Sequence, residues 1–293
     1  MSILDCIVIG DRINPGFKST RALIEGEDID GLQALALRQV ASGADYLDVT
    51  IGPRGYEDPA FLTEVIRAVQ GAVDVPLCFD YPSAAVQEVC LRAYDPARAR
   101  GRKPIVNSIA ETRLDMLELC RIRPFDVVLM TSEYQDDGAA RPARGSDDVL
   151  AVAERLCARL VRDFEFSTAG IFVDVTVNSL AADTQGMTAT ALDAVARIRR
   201  HGGMRGVHIM GGLTNIGNML PPLELDGIRL AHLMESAFLT AAIPLGLDTI
   251  MGTPWNPFRL LPEDHPALRT FQEVSALKGL DAIRRLRRLW AKN

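Results

Sequence analysis

Eight short apolar segments recur along the chain, LDCIVIG, DYLDVTI, VPLCFD, PIVNS, DVVLMT, GIFVDV, GVHIMGG and LDTIM, and each reaches a polar residue near its C-terminal end. In order these residues are Asp11 and Asn14, Asp48, Asp80, Asn107, Thr131, Asp174, Asn215 and Asn256. Stretches with helical patterning lie between most of the segments, and strands alternating with helices form a parallel sheet. Eight such units in roughly 250 residues have the size of a (β/α)8 TIM barrel, whose site lies at the C-terminal ends of its strands. The pattern therefore predicts one α/β barrel domain over residues 1–293, with a C-terminal helical extension from about 264, and it gathers the polar residues on one face.

Composition supports that reading. By length alone 293 residues could form two domains, but no Gly/Ser linker or low-complexity block divides the chain, and 48% hydrophobic residues supply a large core. No apolar run approaches the ~20 residues of a membrane span. The start, MSILDCIVIGD, lacks the basic n-region and cleavage site of a secretory signal, so a cytoplasmic location is expected. Cys6, Cys78, Cys90, Cys120 and Cys157 are scattered and mostly set in apolar segments, which reads as reduced core cysteine. A formal charge of −6 argues against nucleic acid as the main partner. The two basic stretches, RARGRK before the fourth segment and RRLRRLW near the end, read as solvated surface; the first falls on the face opposite the polar residues.

Several chemistries find no support. His201, His208, His232 and His265 lack metal-ligand spacing, and no G-x-S-x-G elbow occurs. GDRINPG after the first segment has neither the Walker lysine nor the dinucleotide glycine spacing, so it reads as a turn that borders the site. What remains is a barrel mouth rich in Asp and Asn. Carboxylates accept from ring N–H groups while Asn both donates and accepts, a set suited to the edge of a flat heterocycle such as a pterin. A phosphate-bearing substrate would call for Lys, Arg or a helix N-terminus instead.

From Ile7 to about Thr253 the chain resembles the methyltetrahydrofolate:corrinoid methyltransferases, members of the pterin-binding barrel superfamily that includes dihydropteroate synthase. GDRIN at Gly10 to Asn14 is similar to the family's opening G-E-R-I-N, with Asp11 in place of glutamate. RQVASGADYLDVTIGP, PLCFD ending at Asp80, IVNS around Asn107, FVDV around Asp174 and GGLTN ending at Asn215 follow in family order. The resemblance implies that Asp80, Asn107 and Asp174 hold the pterin, that Asp48 supports it, and that Asn215 lies beside N5 as the catalytic residue. It implies tetrahydrofolate or 5-methyltetrahydrofolate as substrate, a corrinoid (cobalamin) carried by a partner protein, and a homodimer. Asp11 and Asn14 complete the expected substrate-binding set, with Thr50, Tyr81, Ser108 and Asn178 as candidate pocket wall. No metal ligand is expected in the chain itself.

Other readings stand beside these. Asp80 and Asp174 could cap the helices that follow them, and Asn107 and Asn215 could satisfy turn backbone. Thr50 and Tyr81 occupy positions where the family has Asn and Ser, and Val175 follows Asp174 where proline is usual. Tyr81 is a candidate for stacking on the pterin or benzoyl ring. The segment Met219 to Ser236 looks longer than its family counterpart and shows no clear equivalent of the family's basic residue. Ser132 to Asp148 reads as a long polar loop on the site face, a lid or a docking surface. The Leu-rich end could supply a dimer interface, although a helix closing its own barrel is the favoured reading. Dihydropteroate synthase is the rival enzyme; against it, GTPWNP follows LDTIM where a Ser-x-Arg signature would stand. A noncatalytic folate-binding barrel is the other alternative.

Overall fold

The computed structural model describes residues 5–225 and 227–289; residues 1–4, 226 and 290–293 of the expected 1–293 domain lie outside the described residues. The apolar segments form strands β1 Ile7–Ile13, β2 Tyr46–Val49, β3 Leu77–Asp80, β4 Ile105–Ile109, β5 Asp126–Met130, β6 Ile171–Asp174, β7 His208–Gly212 and β8 Thr249–Gly252. They close into a barrel in the order β1-β8-β7-β6-β5-β4-β3-β2, every neighbour parallel. The chain is thus a (β/α)8 TIM barrel. Among the described residues no helix is long and apolar enough to cross a membrane.

Side chains of a strand alternate between its two faces. One set, Ile9, Cys78, Ile105, Val128, Phe172 and Met210, meets in a single layer inside the barrel. The intervening Leu47, Val49, Leu77 and Phe79 face outward and pack with Leu62, Val65, Ile66 and Val69 of the helix Pro59–Ala72. That helix begins where Asp58 accepts from the Phe61 N–H at 3.0 Å with proline at its first position. Two residues beyond the inner layer, Asp11, Asp80, Asn107, Met130, Asp174 and Gly212 share its face by the same alternation, as does Asp48 two residues after Tyr46. Register puts Asp80 level with Asn107, and Asp174 level with Met130.

At the opposite end Asp248 accepts from the Ile209 N–H (2.9 Å) and from Arg199 (2.8 Å), while His208 stacks on Phe172 at 4.7 Å. Of the basic stretch RARGRK, Arg100 pairs with Asp74, and Lys103 lies 3.6 Å from Asp126. No disulfide forms among the described residues; Cys6, Cys78, Cys90 and Cys157 are buried and Cys120 half-buried.

Two expectations change. Ser132 to Asp148 is not an irregular loop: Glu133–Asp136 and Ala139–Pro142 pair as an antiparallel hairpin, and a helix starts at Ser146. Its turn is Asp137-Gly138, both at positive φ (47° and 78°), the backbone that a two-residue turn matched to strand twist requires. The long segment before Ser236 likewise contains a small hairpin, Glu224–Leu225 with Ile228–Arg229, followed by the helix Leu230–Ala242. At the C-terminus the helices Pro266–Ser275 and Gly279–Arg287 turn Phe271, Ala282 and Leu286 inward, and Phe271 meets Phe238 edge-on at 6.3 Å.

Candidate active site

A cavity of about 340 Å³ opens at the C-terminal ends of the strands. Asp11, Asn14, Asp48, Asp80 and Asn215 line it together with Phe17, Gly212, Thr214, Asn218 and Met251. Asn107 and Asp174 share the inner face one and three strands round from Asp80, but neither lines this cavity.

Each carboxylate is held differently. Asp11 accepts from the hydroxyls of Thr214 (2.6 Å) and Thr253 (3.0 Å), yet burial still raises its pKa. Asp48 is 1% exposed, and its Oδ1 has no hydrogen-bond partner within the protein. Burial, followed by the charges of Asp80 and Asp11, pushes its carboxyl well above the usual range. Asp80 is raised by burial to about 6, with the Arg113 guanidinium opposing. Asp174 is also raised to about 6 by burial, and the Thr176 N–H that it accepts at 2.8 Å opposes the shift. Crowding acids in a desolvated space disfavours their ionised forms, and the protein sets no donor against Asp48 Oδ1. A ligand offering N–H groups along one edge would supply one.

Asn215 lies in the single turn Thr214–Gly217 just past β7 and accepts from Asn218 Nδ2 at 3.3 Å. A Cβ on Gly212 would stand 3.0 Å from Asn215 Nδ2, so glycine at the strand end lets the Asn215 amide lie against the backbone.

The capping alternative does not describe Asp80. The next helix, Ala84–Ala93, has Ser83 at its N-cap and receives no side-chain cap. Asp174 does bind local backbone, with one oxygen on Thr176. Of the candidate wall residues, Tyr81 is 1% exposed; its hydroxyl accepts from the Ile51 N–H at 2.7 Å and its ring meets Tyr56 edge-on. The ring therefore belongs to the core and cannot stack on a ligand in this cavity, because the phenol is anchored to the backbone after β2. Thr50 accepts from Gly52 N–H at 3.2 Å, Ser108 from Arg113 at 3.3 Å, and Asn178 lies 3.5 Å from the Thr176 carbonyl. None of these lines the cavity. Thr131 is fully buried and donates to the Asp174 carbonyl at 2.6 Å, a structural tie between β5 and β6.

Sequence reasoning missed two residues. Arg113 follows β4 and donates to Ser108; Glu133 of the hairpin holds it at 3.4 Å, and its charge acts on Asp80. Glu235 is 3% exposed with an unpartnered Oε2, and a lone acid inside the apolar run HLMESAFLTAA was the available signal.

A closed parallel barrel with an acid- and amide-lined mouth has recognisable kin. Residues 13–251 match the family described as pterin binding enzyme, and the chain belongs to that family. It is 26% identical over 258 residues, 85% of each chain, to a protein of Eubacterium limosum named methylcorrinoid:tetrahydrofolate methyltransferase. Among solved structures it superposes on dihydropteroate synthase of Xanthomonas albilineans in complex with 7,8-dihydropteroate (TM-score 0.56, 20% identity, 98% of this chain and 94% of that one). The enzyme of Stenotrophomonas maltophilia gives TM-score 0.56 at 19% identity, covering 99% of this chain and 95% of that one. At such identities the two structures speak for the fold alone.

Proposed function

We propose that the protein moves a methyl group between N5 of tetrahydrofolate and the cobalt of a separate corrinoid protein. The observation that carries this reading is the unpartnered, buried Oδ1 of Asp48 in a cavity shared with Asp11 and Asp80. Leaving a buried acceptor unpaired costs on the order of 1–3 kcal/mol, which a donor-bearing ring edge would recover. The relative's name supports the activity, and it puts tetrahydrofolate on the accepting side.

In this reading Asp48 and Asp80 accept from the ring's N–H groups, with Asn107 and Asp174 completing the binding edge as the ring settles. Asp11 is pinned by two hydroxyls and shapes the wall beside Thr214. The corrinoid supplies a cobalt that can carry or release the methyl group. This chain's task is to hold N5 open to it and to support the positive charge that N5 bears while a fourth bond is present. Asn215 does so through its amide oxygen, at the mouth where the partner must approach. A positioned polar contact that strengthens in the transition state contributes on the order of 2.7–4 kcal/mol in a comparable setting.

The lining of the cavity argues against the synthase alternative. It contains no Lys or Arg among the described residues, and a pyrophosphate leaving group would face Asp11, Asp48 and Asp80. The test is calorimetric titration of the purified protein with tetrahydrofolate and with 5-methyltetrahydrofolate, followed by a methylcobalamin assay. Micromolar binding of either and cobalt-dependent methylation support the reading; silence with both ligands overturns it.

A further inference from the structure

A second cavity of about 330 Å³ adjoins the first and shares Phe17, Thr214 and Asn218 with it. It runs between the helix Leu230–Ala242 and the segment after β8, and its polar lining comes from Arg12, Arg229, His232, Glu235 and Asn256 beside the Trp255 indole. Glu235 Oε2, Arg12 Nε and His232 Nδ1 are buried atoms of these side chains with no partner in the protein. Three orphaned polar atoms on side chains that line one cavity are an unusual concentration, because buried polar groups are normally partnered.

The geometry specifies the occupant's chemistry. Arg12 is fixed, its guanidinium 3.7 Å over the Phe17 ring and 5.5 Å from the Trp255 ring. Arg229 stands exposed at the rim on the small hairpin. Two guanidinium groups select an anion, and a planar carboxylate matches their fork. Phe17 lines both cavities and Trp255 the second, each ring with a guanidinium over one face, Arg12 on Phe17 and Arg38 on Trp255 at 3.9 Å. Space is kept at Gly217, where a Cβ would press to 2.7 Å of Ala231 Cβ and 3.0 Å of Glu235 Oε1.

We infer that this second cavity seats the aminobenzoylglutamate tail of a folate whose ring lies in the first, with Arg12, Arg229 and Glu235 binding the tail carboxylates. The inference rests on the pterin reading above. Glu235 faces Asp11, Asn256 and Arg229. Burial, then the Asp11 charge, holds its carboxyl protonated up to about 8 while Asn256 and Arg229 oppose, so near neutrality it can donate to a carboxylate. His232, lowered by burial and by Arg229, is neutral there as well.

The experiment titrates 6-methyltetrahydropterin, which has no tail, and tetrahydrofolate into the wild type, Arg229→Gln and Glu235→Leu, the latter removing the donor at similar volume. The expected result is that each variant loses about tenfold in affinity for tetrahydrofolate, the scale of one hydrogen bond to a charged group, while 6-methyltetrahydropterin binds all three alike. Unchanged tetrahydrofolate affinity in both variants overturns the subsite and leaves the pterin site intact. If 6-methyltetrahydropterin fails to bind the wild type, the pterin reading fails, and titration with N-(4-aminobenzoyl)-L-glutamate then decides the subsite alone. Binding lost in Arg229→Gln upholds a carboxylate site, and absence of binding removes it.

Discussion

Asn215 and Asp80 have opposite expected signatures. In the proposed reading Asn215 acts on charge that develops only during transfer, so Asn215→Ala should cut methyl transfer about a hundredfold and leave folate affinity nearly unchanged. Single-turnover kinetics beside calorimetry separates the two quantities, and lost affinity at unchanged turnover would contradict the role. In the proposed reading Asp80 makes a ground-state contact, so Asp80→Ala should raise KM and leave kcat close to wild type. Arg113 tunes that contact, since its charge opposes the burial that raises Asp80 to about 6. Arg113→Met should therefore move the acid limb of tetrahydrofolate binding to higher pH, because Asp80 would hold its proton longer. A titration of affinity from pH 5 to 8 reads this directly; an unmoved limb would show that Arg113 does not govern Asp80.

Among the elements, the hairpin Glu133–Asp136/Ala139–Pro142 carries the clearest consequence. Its turn depends on Gly138 at φ 78°, where a β-branched side chain is strained. Gly138→Val should cost about 1 kcal/mol locally and appear as faster proteolytic cleavage within residues 132–142 at an unchanged global melting temperature. A fall in global melting temperature equal to the local loss would mean that the hairpin unfolds with the barrel. The hairpin matters to the site because Glu133 holds Arg113, and Thr112 donates to the same carboxylate. Polar composition made this stretch look like an open loop; the Asp-Gly pair at its centre was the overlooked signal, since two consecutive positive φ angles suit few other dipeptides.

Across the whole molecule, buried acids set the pH dependence of stability. Asp80 and Asp174 are held to about 6 and Glu235 to about 8, and Asp48 is likewise raised, by burial and its acidic neighbours. In each case the native state keeps a proton that the unfolded chain releases above its ordinary carboxylate pKa. Stability then falls as pH rises from about 4 through 8. Asp58 and Asp248, both lowered in the fold, act in the other sense and lose their contribution below the usual carboxylate range. Thermal melts should accordingly peak on the mildly acidic side, and Glu235→Gln should flatten the decline between pH 6 and 8. A wild-type melting temperature that climbs from pH 6 to 8 would refute the assignment.

The sequence by itself determined the barrel, because strand alternation and parallel topology are written in local patterns of apolar and polar residues. The polar residues at strand ends were legible for the same reason: a period of two carries Asp48, Asp80, Asn107 and Asp174 to the face of the inner layer. Only the tertiary structure decided which of them share a cavity. That depends on strand stagger and on what fills the mouth between neighbouring strands, which no local pattern records. It buried Tyr81 against the backbone after β2 and turned Thr131 into a tie between strands. It also let the Arg113 charge act on Asp80 and brought Glu235 from the middle of an apolar helix beside Arg12, more than two hundred residues earlier in the chain. Contacts between groups so far apart are fixed by closure of the barrel, and the desolvation that tunes these acids exists only once it has closed.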